Sequence, residues 1–413
     1  MEASRVLELY GLRYSDLALL SSGGADAVSG FLSESEASRL ERVRSSVVEA
    51  LGPSGPGLIS VTGVPDDAVR LRRSLLLLTR KLAILPRNHR NRILKEHGLG
   101  SDVPLKNPDR SVSSFAAQLK YDQLVSFDSW VGREKGEVGD DEFRSLGDCF
   151  KRLGYWMMEL GLRIARLCDA AIGGSELETA LLDSGSAKGR LVHYHCSLDK
   201  LALQGSSGKK ESAKIGIERE HGRGGSDLWQ QWHYDYGIFT ILTSPMFVQV
   251  NDFGKAGRDQ ECPYPEGHSC LQVYGAGENN ARMVKSDPES FIVQVGESAD
   301  ILTKGKLHAT LHCVDRPSNL DNVCRETFVV FLQPSWGKVF SVSDYPRERW
   351  LSDEEAYDHG DGRAEDRSNA FAKRIHKIVP PLSRRLKDGM TFAEFSRETT
   401  KQYYGGTGLQ SNN

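Results

Sequence analysis

Hydrophobic positions along this chain follow two different rhythms. Toward both ends they recur at helical spacing, and in between they form short apolar runs broken by Gly, Pro and Asn. Ser33-x-x-Glu36 is a capping-box signature, and Ala37, Leu40, Val43, Val47 and Leu51 then recur every three or four residues until Gly52, which predicts a helix. Leu58–Thr62 reads as a strand between Gly/Pro turns, and residues 66–85 read as a second helix that Pro86 closes. Between Asp141 and Ile172, the positions Phe143, Leu146, Phe150, Leu153, Met157, Leu160, Ile164 and Leu167 mark a long amphipathic helix. Gly147, Gly154 and Gly161 fall seven apart along it, a stripe of small residues against which another backbone can lie closely. The helix is expected to back the β-rich core, with a dimer contact as the alternative use of the stripe. Thr391-Phe-Ala-Glu394 is a second capping box and opens a final helix.

The middle of the chain is different. Ile238–Thr243, Leu271–Tyr274, Phe291–Val295 and Thr327–Leu332 are short and rich in β-branched and aromatic residues, as strands of a sandwich or barrel are. Beside the first of them stands His233-Tyr234-Asp235. In an extended strand side chains alternate faces, so His233 and Asp235 point the same way and can share one metal. A third ligand has to come from another strand, and Leu307-His308-Ala309-Thr310-Leu311-His312 offers two candidates four residues apart on one face. Two imidazoles and one carboxylate are what a non-haem Fe(II) site needs if opposite positions are to stay open for oxygen and a co-substrate.

The string His233-Tyr-Asp235-Tyr-Gly-Ile-Phe-Thr240, then Leu271-Gln-Val-Tyr, then Leu307 through His312-Cys-Val, then Arg325-Glu-Thr327-Phe-Val-Val-Phe-Leu-Gln-Pro334 resembles the plant-type 2-oxoglutarate- and Fe(II)-dependent dioxygenases, the isopenicillin N synthase-like superfamily. The resemblance is strong from about 186 to 336 and weak on the flanks. It implies a mainly β, α+β fold: a double-stranded β-helix (jelly roll) over 186–336, an N-terminal helical segment over 1–185 and a C-terminal loop and helix over 337–413 that covers the barrel mouth. It selects His312 over His308, because the family's distal histidine shortly precedes an Arg-x-Ser pair. Carried over, it makes His233, Asp235 and His312 the Fe(II) ligands, and Arg325 with the Thr327 hydroxyl the partners of the distal carboxylate of 2-oxoglutarate. Arg190-Leu-Val-His-Tyr194-His resembles the strand that lends a tyrosine to the same carboxylate, which adds Tyr194. The implied activity is oxidation of a small organic molecule by O2, by hydroxylation or desaturation, with release of succinate and CO2. Two other readings stay open: an iron oxidase that does not use 2-oxoglutarate, and a non-catalytic iron-binding protein of the same fold.

The chain departs from the family pattern in several places. Cys313 stands where the family has Arg, Val192-His193-Tyr194-His195 replaces Asn-Tyr-Tyr-Pro, and Arg325-Glu-Thr327 replaces Arg-x-Ser while keeping the hydroxyl. Arg325 follows His312 by 13 residues, with a polar turn from Asp315 to Asn319 to absorb the length. Residues 251–269 read as an inserted loop, and loops carry specificity.

Composition narrows the partners. With 53 basic and 56 acidic side chains the formal charge is −3, so no general attraction to nucleic acid or membrane is expected. No stretch approaches the roughly 20 apolar residues of a membrane span, nor does a cationic segment lead into an apolar run at the N-terminus. The expectation is a soluble cytoplasmic protein, with the nucleus left open, and a monomer rather than a homodimer. Seven cysteines without a C-x-x-C pair are expected to be reduced thiols rather than a disulfide frame or a zinc site. His193, His195, His221, His268 and His308 are expected to be ordinary satisfied or solvated histidines. The basic cluster Arg87–Lys95 is expected to be a solvated face, and Gly360–Arg367 an exposed loop. Gly275-Ala-Gly277 lacks the further glycine and the βαβ setting of a dinucleotide site.

Overall fold

A computed structural model describes residues 6–22, 33–101, 103, 105, 110–122, 142–205, 228–251, 260–275, 280–317, 320–346, 375 and 378–404. Its strands are β1 (Val6–Glu8), β2 (Tyr10–Arg13), β3 (Leu58–Thr62), β4 (Val112–Lys120), β5 (Ser186–Tyr194), β6 (Leu228–His233), β7 (Phe239–Thr243), β8 (Met246–Gln249), β9 (Gln260–Cys262), β10 (Leu271–Tyr274), β11 (Arg282–Lys285), β12 (Phe291–Val295), β13 (Leu311–Asp315) and β14 (Val323–Leu332). Its helices are α1 (Tyr14–Ser21), α2 (Glu34–Leu51), α3 (Asp66–Ile84), α4 (Arg87–Glu96), α5 (Leu146–Ile172), α6 (Glu176–Ser184), α7 (Ser197–Gly205), α8 (Glu297–Leu302), α9 (Leu382–Arg385) and α10 (Phe392–Tyr404). None of them is long and apolar enough to cross a membrane.

The strands form two sheets. The smaller runs β1-β11-β10-β13-β6, and the larger runs β2-β3-β12-β7-β14-β5-β4, with β8 paired to β14 and β9 to β8. Strand alternation decides which face each residue serves. Phe291, Val293 and Val295 of β12 join Ile241, Phe328 and Leu191 in a core against the helices. Ile292 points the other way, and with Val192, Tyr194 and Phe247 meets Trp229, Leu271, Val273 and Val314 of the small sheet. The fold is thus α+β: two facing sheets with helices over the outer face of the larger one. Early segments of the chain supply strands to both sheets, β1 to the smaller and β2, β3 and β4 to the larger.

Helix α5 lies on that outer face, and its glycine stripe explains how. A Cβ on Gly154 would press into the Leu119 side chain of β4, and one on Gly161 would press into Leu332 of β14. Phe150 of the same helix meets Phe328 edge-on at 4.8 Å between ring centroids. The stripe therefore serves packing within this chain. The predicted helix over 66–85 is found as α3, and the capping box at Ser33 forms as expected, with the Glu36 amide bonded to Ser33 Oγ at 3.3 Å. The basic cluster after Pro86 corrects the expectation of a solvated face in one respect. It folds as α4, and while Arg87, Arg92 and Lys95 remain exposed, Arg90 is buried and donates to the carbonyls of Ala83 (3.3 Å) and Leu85 (2.9 Å). Those carbonyls lie at the C-terminal end of α3, where a helix leaves acceptors without partners and a cation is favoured. His221 and the stretch Gly360–Arg367 lie outside the described residues.

One crossing point fixes how the sheets meet. The chain leaves β6 at His233, and Asp235–Ile238 run against Gly296–Ser298 at the start of α8. Gly296 N–H donates to Ile238 O (2.9 Å), Glu297 N–H to Asp235 O (2.8 Å) and Ser298 N–H to Gly237 O (3.0 Å). Ile238 N–H donates to Leu332 O of β14 at 2.7 Å. Two glycines permit this contact. A Cβ on Gly237 would lie 2.7 Å from Leu332 O, and one on Gly296 would overlap the carbonyl of Gly237. Gly296→Ala is expected to destabilise the protein by about 1–3 kcal/mol, because the obstruction is backbone and cannot rotate away. Gly100→Ala, where a Cβ meets only Ala116 O at 3.9 Å, is the control and should stay within about 0.5 kcal/mol in urea denaturation. Equal midpoints for the two variants would show that the sheets do not need so close a contact at 296.

Candidate metal centre

Two strand ends and one turn bring the predicted triad together. His233 closes β6 and His312 stands directly opposite it on β13, so their rings lie 4.2 Å apart between centroids. Asp235 comes from the crossing point rather than from the strand, a correction to the extended-strand placement. The turn at Gly237 ends β6 first, and the backbone bonds to α8 carry the carboxylate to the histidines. Asp235 Oδ1 lies 3.7 Å from His233 Nε2, and Oδ2 lies 3.9 Å from His312 Nε2. One ligand atom from each of the three falls within 4.8 Å of the others. His308 does not join them: it sits outside β13, with Nδ1 3.5 Å from Asp300 Oδ2.

The surroundings prepare these atoms for a cation. His233 Nδ1 donates to Gln231 O (2.7 Å) and His312 Nδ1 to Thr310 O (3.1 Å), which leaves both Nε2 lone pairs toward Asp235. Backbone acceptors behind the rings set the tautomer in the way metal-ligating histidines require. Burial, and next the neighbouring His312, push the His233 pKa down to about 4, so its imidazole is neutral and available to coordinate. Asp235 Oδ2 accepts from Thr240 Oγ1 at 2.7 Å and from Gln294 Nε2 at 3.0 Å, which aims the carboxylate. The donor set and its orientation fit a divalent metal. Two amides would have to yield: that of Gln230 donates to His233 Nε2 (3.0 Å) while its Oε1 accepts from Tyr194 Oη (2.8 Å), and that of Gln294 lies 3.4 Å from His312 Nε2, so metal uptake requires both to release those nitrogens.

The triad opens into a cavity of about 280 Å³ between the sheets. Tyr194, Arg325 and Thr327 line it, because Arg325 pairs with Tyr194 and Thr327 with Val192 across the β5–β14 ladder. Arg325 is 3% exposed. Its Nε donates to Ser269 O at 3.0 Å, and its guanidinium stacks 5.1 Å from the centroid of the Tyr194 ring. No carboxylate among the described residues pairs with it. The Thr327 hydroxyl donates to Thr243 O at 3.2 Å. Cys313, the departure next to His312, is buried and donates to Gln272 Oε1 at 3.3 Å.

Several residues of the site escaped sequence reasoning. Gln294 left a signal, as the single polar residue in the buried strand Phe291–Val295. Ser269 shows that the end of the 251–269 insertion reaches the cavity wall by holding Arg325; residues 252–259 of it lie outside the described residues. The C-terminal helix α10, capped by Thr391 and Glu394 as predicted, closes one side of the cavity with Thr399, Thr400 and Tyr403. Its anchor is the fully buried Arg385. That side chain grips Glu297 with both terminal nitrogens, donates to Thr399 Oγ1 at 3.2 Å and stacks 5.0 Å from the Tyr403 ring. Glu297 is the first residue of α8, so the Asp235 carboxylate and α10 hang from one segment.

Removing one partner of a buried ion pair leaves an uncompensated charge, at a cost of about 3–5 kcal/mol. Glu297→Gln should therefore speed amide hydrogen exchange across 382–404 well beyond that of α5. Unchanged exchange in that segment would show that the lid is held by other contacts.

No protein-family model matches the sequence, and no curated protein matches it. Solved structures do. A full-length Neurospora crassa protein in complex with alpha-KG and 5-formyluracil superposes with a TM-score of 0.51 at 14% identity, covering 97% of this chain and 99% of its own. The rice dioxygenase for auxin oxidation superposes with a TM-score of 0.50 at 16% identity, covering 93% and 98%. A chain with two facing sheets and a buried His-Asp-His cluster between them thus shares, over nearly its whole length, the fold of these two proteins, one solved with alpha-KG bound and the other a dioxygenase.

Proposed function

We propose that this protein is a Fe(II)- and 2-oxoglutarate-dependent dioxygenase of the isopenicillin N synthase-like type, built on a double-stranded β-helix, that hydroxylates or desaturates a small organic molecule. The observation that carries the reading is Arg325. A buried guanidinium is costly unless paired, and this one faces a cavity that also holds a triad of two histidines and a carboxylate. A dicarboxylate that bridges the two explains both groups at once.

His233, Asp235 and His312 would hold the iron, which with 2-oxoglutarate supplies the oxidation of substrate by O2, yielding succinate and CO2. Arg325 offers a planar fork to the distal carboxylate of 2-oxoglutarate, where two charge-assisted bonds replace the missing counter-charge. The Thr327 hydroxyl and Tyr194 Oη flank it, each free to turn from its present acceptor. Thr240 and Gln294 keep the Asp235 carboxylate aimed at the histidines. Tyr403, Thr399 and Thr400 on α10 cover the cavity and limit water, which strengthens every electrostatic contact inside. A cavity of about 280 Å³ suits a small molecule.

Anaerobic titration of the purified protein with Fe(II) and then 2-oxoglutarate should produce the visible charge-transfer band of the chelate. Arg325→Ala should weaken 2-oxoglutarate binding by about 1.5–3 kcal/mol, the worth of a charged hydrogen bond, and leave iron binding intact. His312→Ala should abolish iron binding, whereas His308→Ala should leave it nearly unchanged. Stoichiometric iron without the band would replace this reading with an oxidase that does not use 2-oxoglutarate or a protein that binds iron without turnover. Reversed effects at His308 and His312 would overturn the ligand assignment.

A further inference from the structure

Strand alternation gives β5 and β14 a second chemistry on the face turned away from the cavity. Tyr194, Arg325 and Thr327 face the cavity, while His193, Cys324 and Glu326 point behind the large sheet, where Asp199 of α7 and Arg80 of α3 meet them. One ligand atom each from His193, Asp199 and Cys324 falls within 4.8 Å of the others, and all three residues are fully buried. Asp199 Oδ2 lies 2.8 Å from Cys324 Sγ, 3.1 Å from His193 Nε2 and 3.3 Å from Cys196 Sγ. His193 is satisfied at both ring nitrogens and the thiols are free and buried, as expected, but the expectation did not place them beside one carboxylate.

Three features point to a ligand. First, Oδ2 faces His193 Nε2, two thiols and the Cys196 amide at 3.2 Å, more donors than its two lone pairs accept. Second, Glu326 Oε1 holds His193 Nδ1 at 2.7 Å and so directs Nε2 into the cluster, the carboxylate–histidine support found behind metal ligands. Third, the fully buried His195 Nδ1 has no hydrogen-bond partner and lies 3.8 Å from Asp199 Oδ2. Arg80 holds the other oxygen, Oδ1, at 2.8 Å.

We propose that His193, Asp199 and Cys324, joined by Cys196 once its side chain turns inward, form a second, structural metal site for a tetrahedral divalent ion of the zinc class, on the opposite face of the sheet from the iron triad. Cys196 Sγ, 3.3 Å from Asp199 Oδ2, stands outside the mutual group of the other three, and its approach would close a set of two sulfurs, one imidazole nitrogen and one carboxylate oxygen with no position left for substrate; soft thiolates favour zinc over iron. Uptake would release the proton on His193 Nε2 and the thiol protons. The bound ion would tie β5, β14 and α7 together directly behind Arg325.

The test uses the full-length protein expressed with zinc and measured for metal after dialysis against EDTA, which strips a catalytic iron. About one zinc per chain should remain, and replacement by Co(II) should give a near-ultraviolet thiolate-to-cobalt band. Glu326→Gln should lower zinc affinity about 10- to 100-fold, as loss of a supporting carboxylate does. Cys324→Ser should abolish the cobalt band, whereas Cys262→Ser should leave it. His312→Ala should lose iron and keep zinc, which separates this proposal from the catalytic one. Folded wild-type protein without retained zinc and without a cobalt–thiolate band would overturn it, even if the cysteine variants fail to fold.

Discussion

The structure depends on a close backbone contact where the two sheets exchange the chain. At Gly237 and Gly296 the peptide planes approach nearer than any side chain allows, and the interlocked amides of 296–298 with the carbonyls of 235, 237 and 238 hold them there. Hydrogen bonds of this kind each contribute only about 1 kcal/mol net, but they are mutually dependent, because none forms unless the glycines meet. The Asp235 carboxylate is positioned against two histidines from facing strands by this contact rather than by strand geometry. Through Glu297 and Arg385 the same segment also anchors the helix that covers the cavity. A ligand and a lid that must act together are thereby attached to one rigid point.

The β5–β14 ladder is the second organising element. Along it, neighbouring residues serve opposite faces: Arg325 and Thr327 look into the cavity while Cys324 and Glu326 look toward Asp199. A slip of one residue would exchange the two sets, so the pairing is held strongly by the burial of both. The charges on the two faces are managed differently. Behind the sheet, burial alone would depress the His193 imidazolium, but Glu326 and Asp199 outweigh it and hold its pKa up at about 9. On the cavity side Arg325 has no such partner among the described residues, and it is the side from which an anionic co-substrate would arrive.

The sequence by itself determined helices α2, α3, α5 and α10, the caps at Ser33 and Thr391, the two-rhythm division of the chain and the identity of the residues that converge between the sheets. Each of these depends on local periodicity or on residue chemistry, which are written position by position. The glycine stripe of α5 was also legible as a stripe, although its target was not. Tertiary structure decided that Gly154 and Gly161 meet Leu119 and Leu332, that Arg90 turns inward to end α3, and that Asp235 leaves the strand before reaching His312. It alone revealed Ser269 behind Arg325, the Arg385–Glu297 anchor and the His193–Asp199–Cys324 cluster, in which Cys324 lies 125 residues from Asp199. The physical reason is the same in each case: a side chain's type is fixed by sequence, but its electrostatic partner is fixed by which backbones can approach closely enough, and that is a property of the packed sheets.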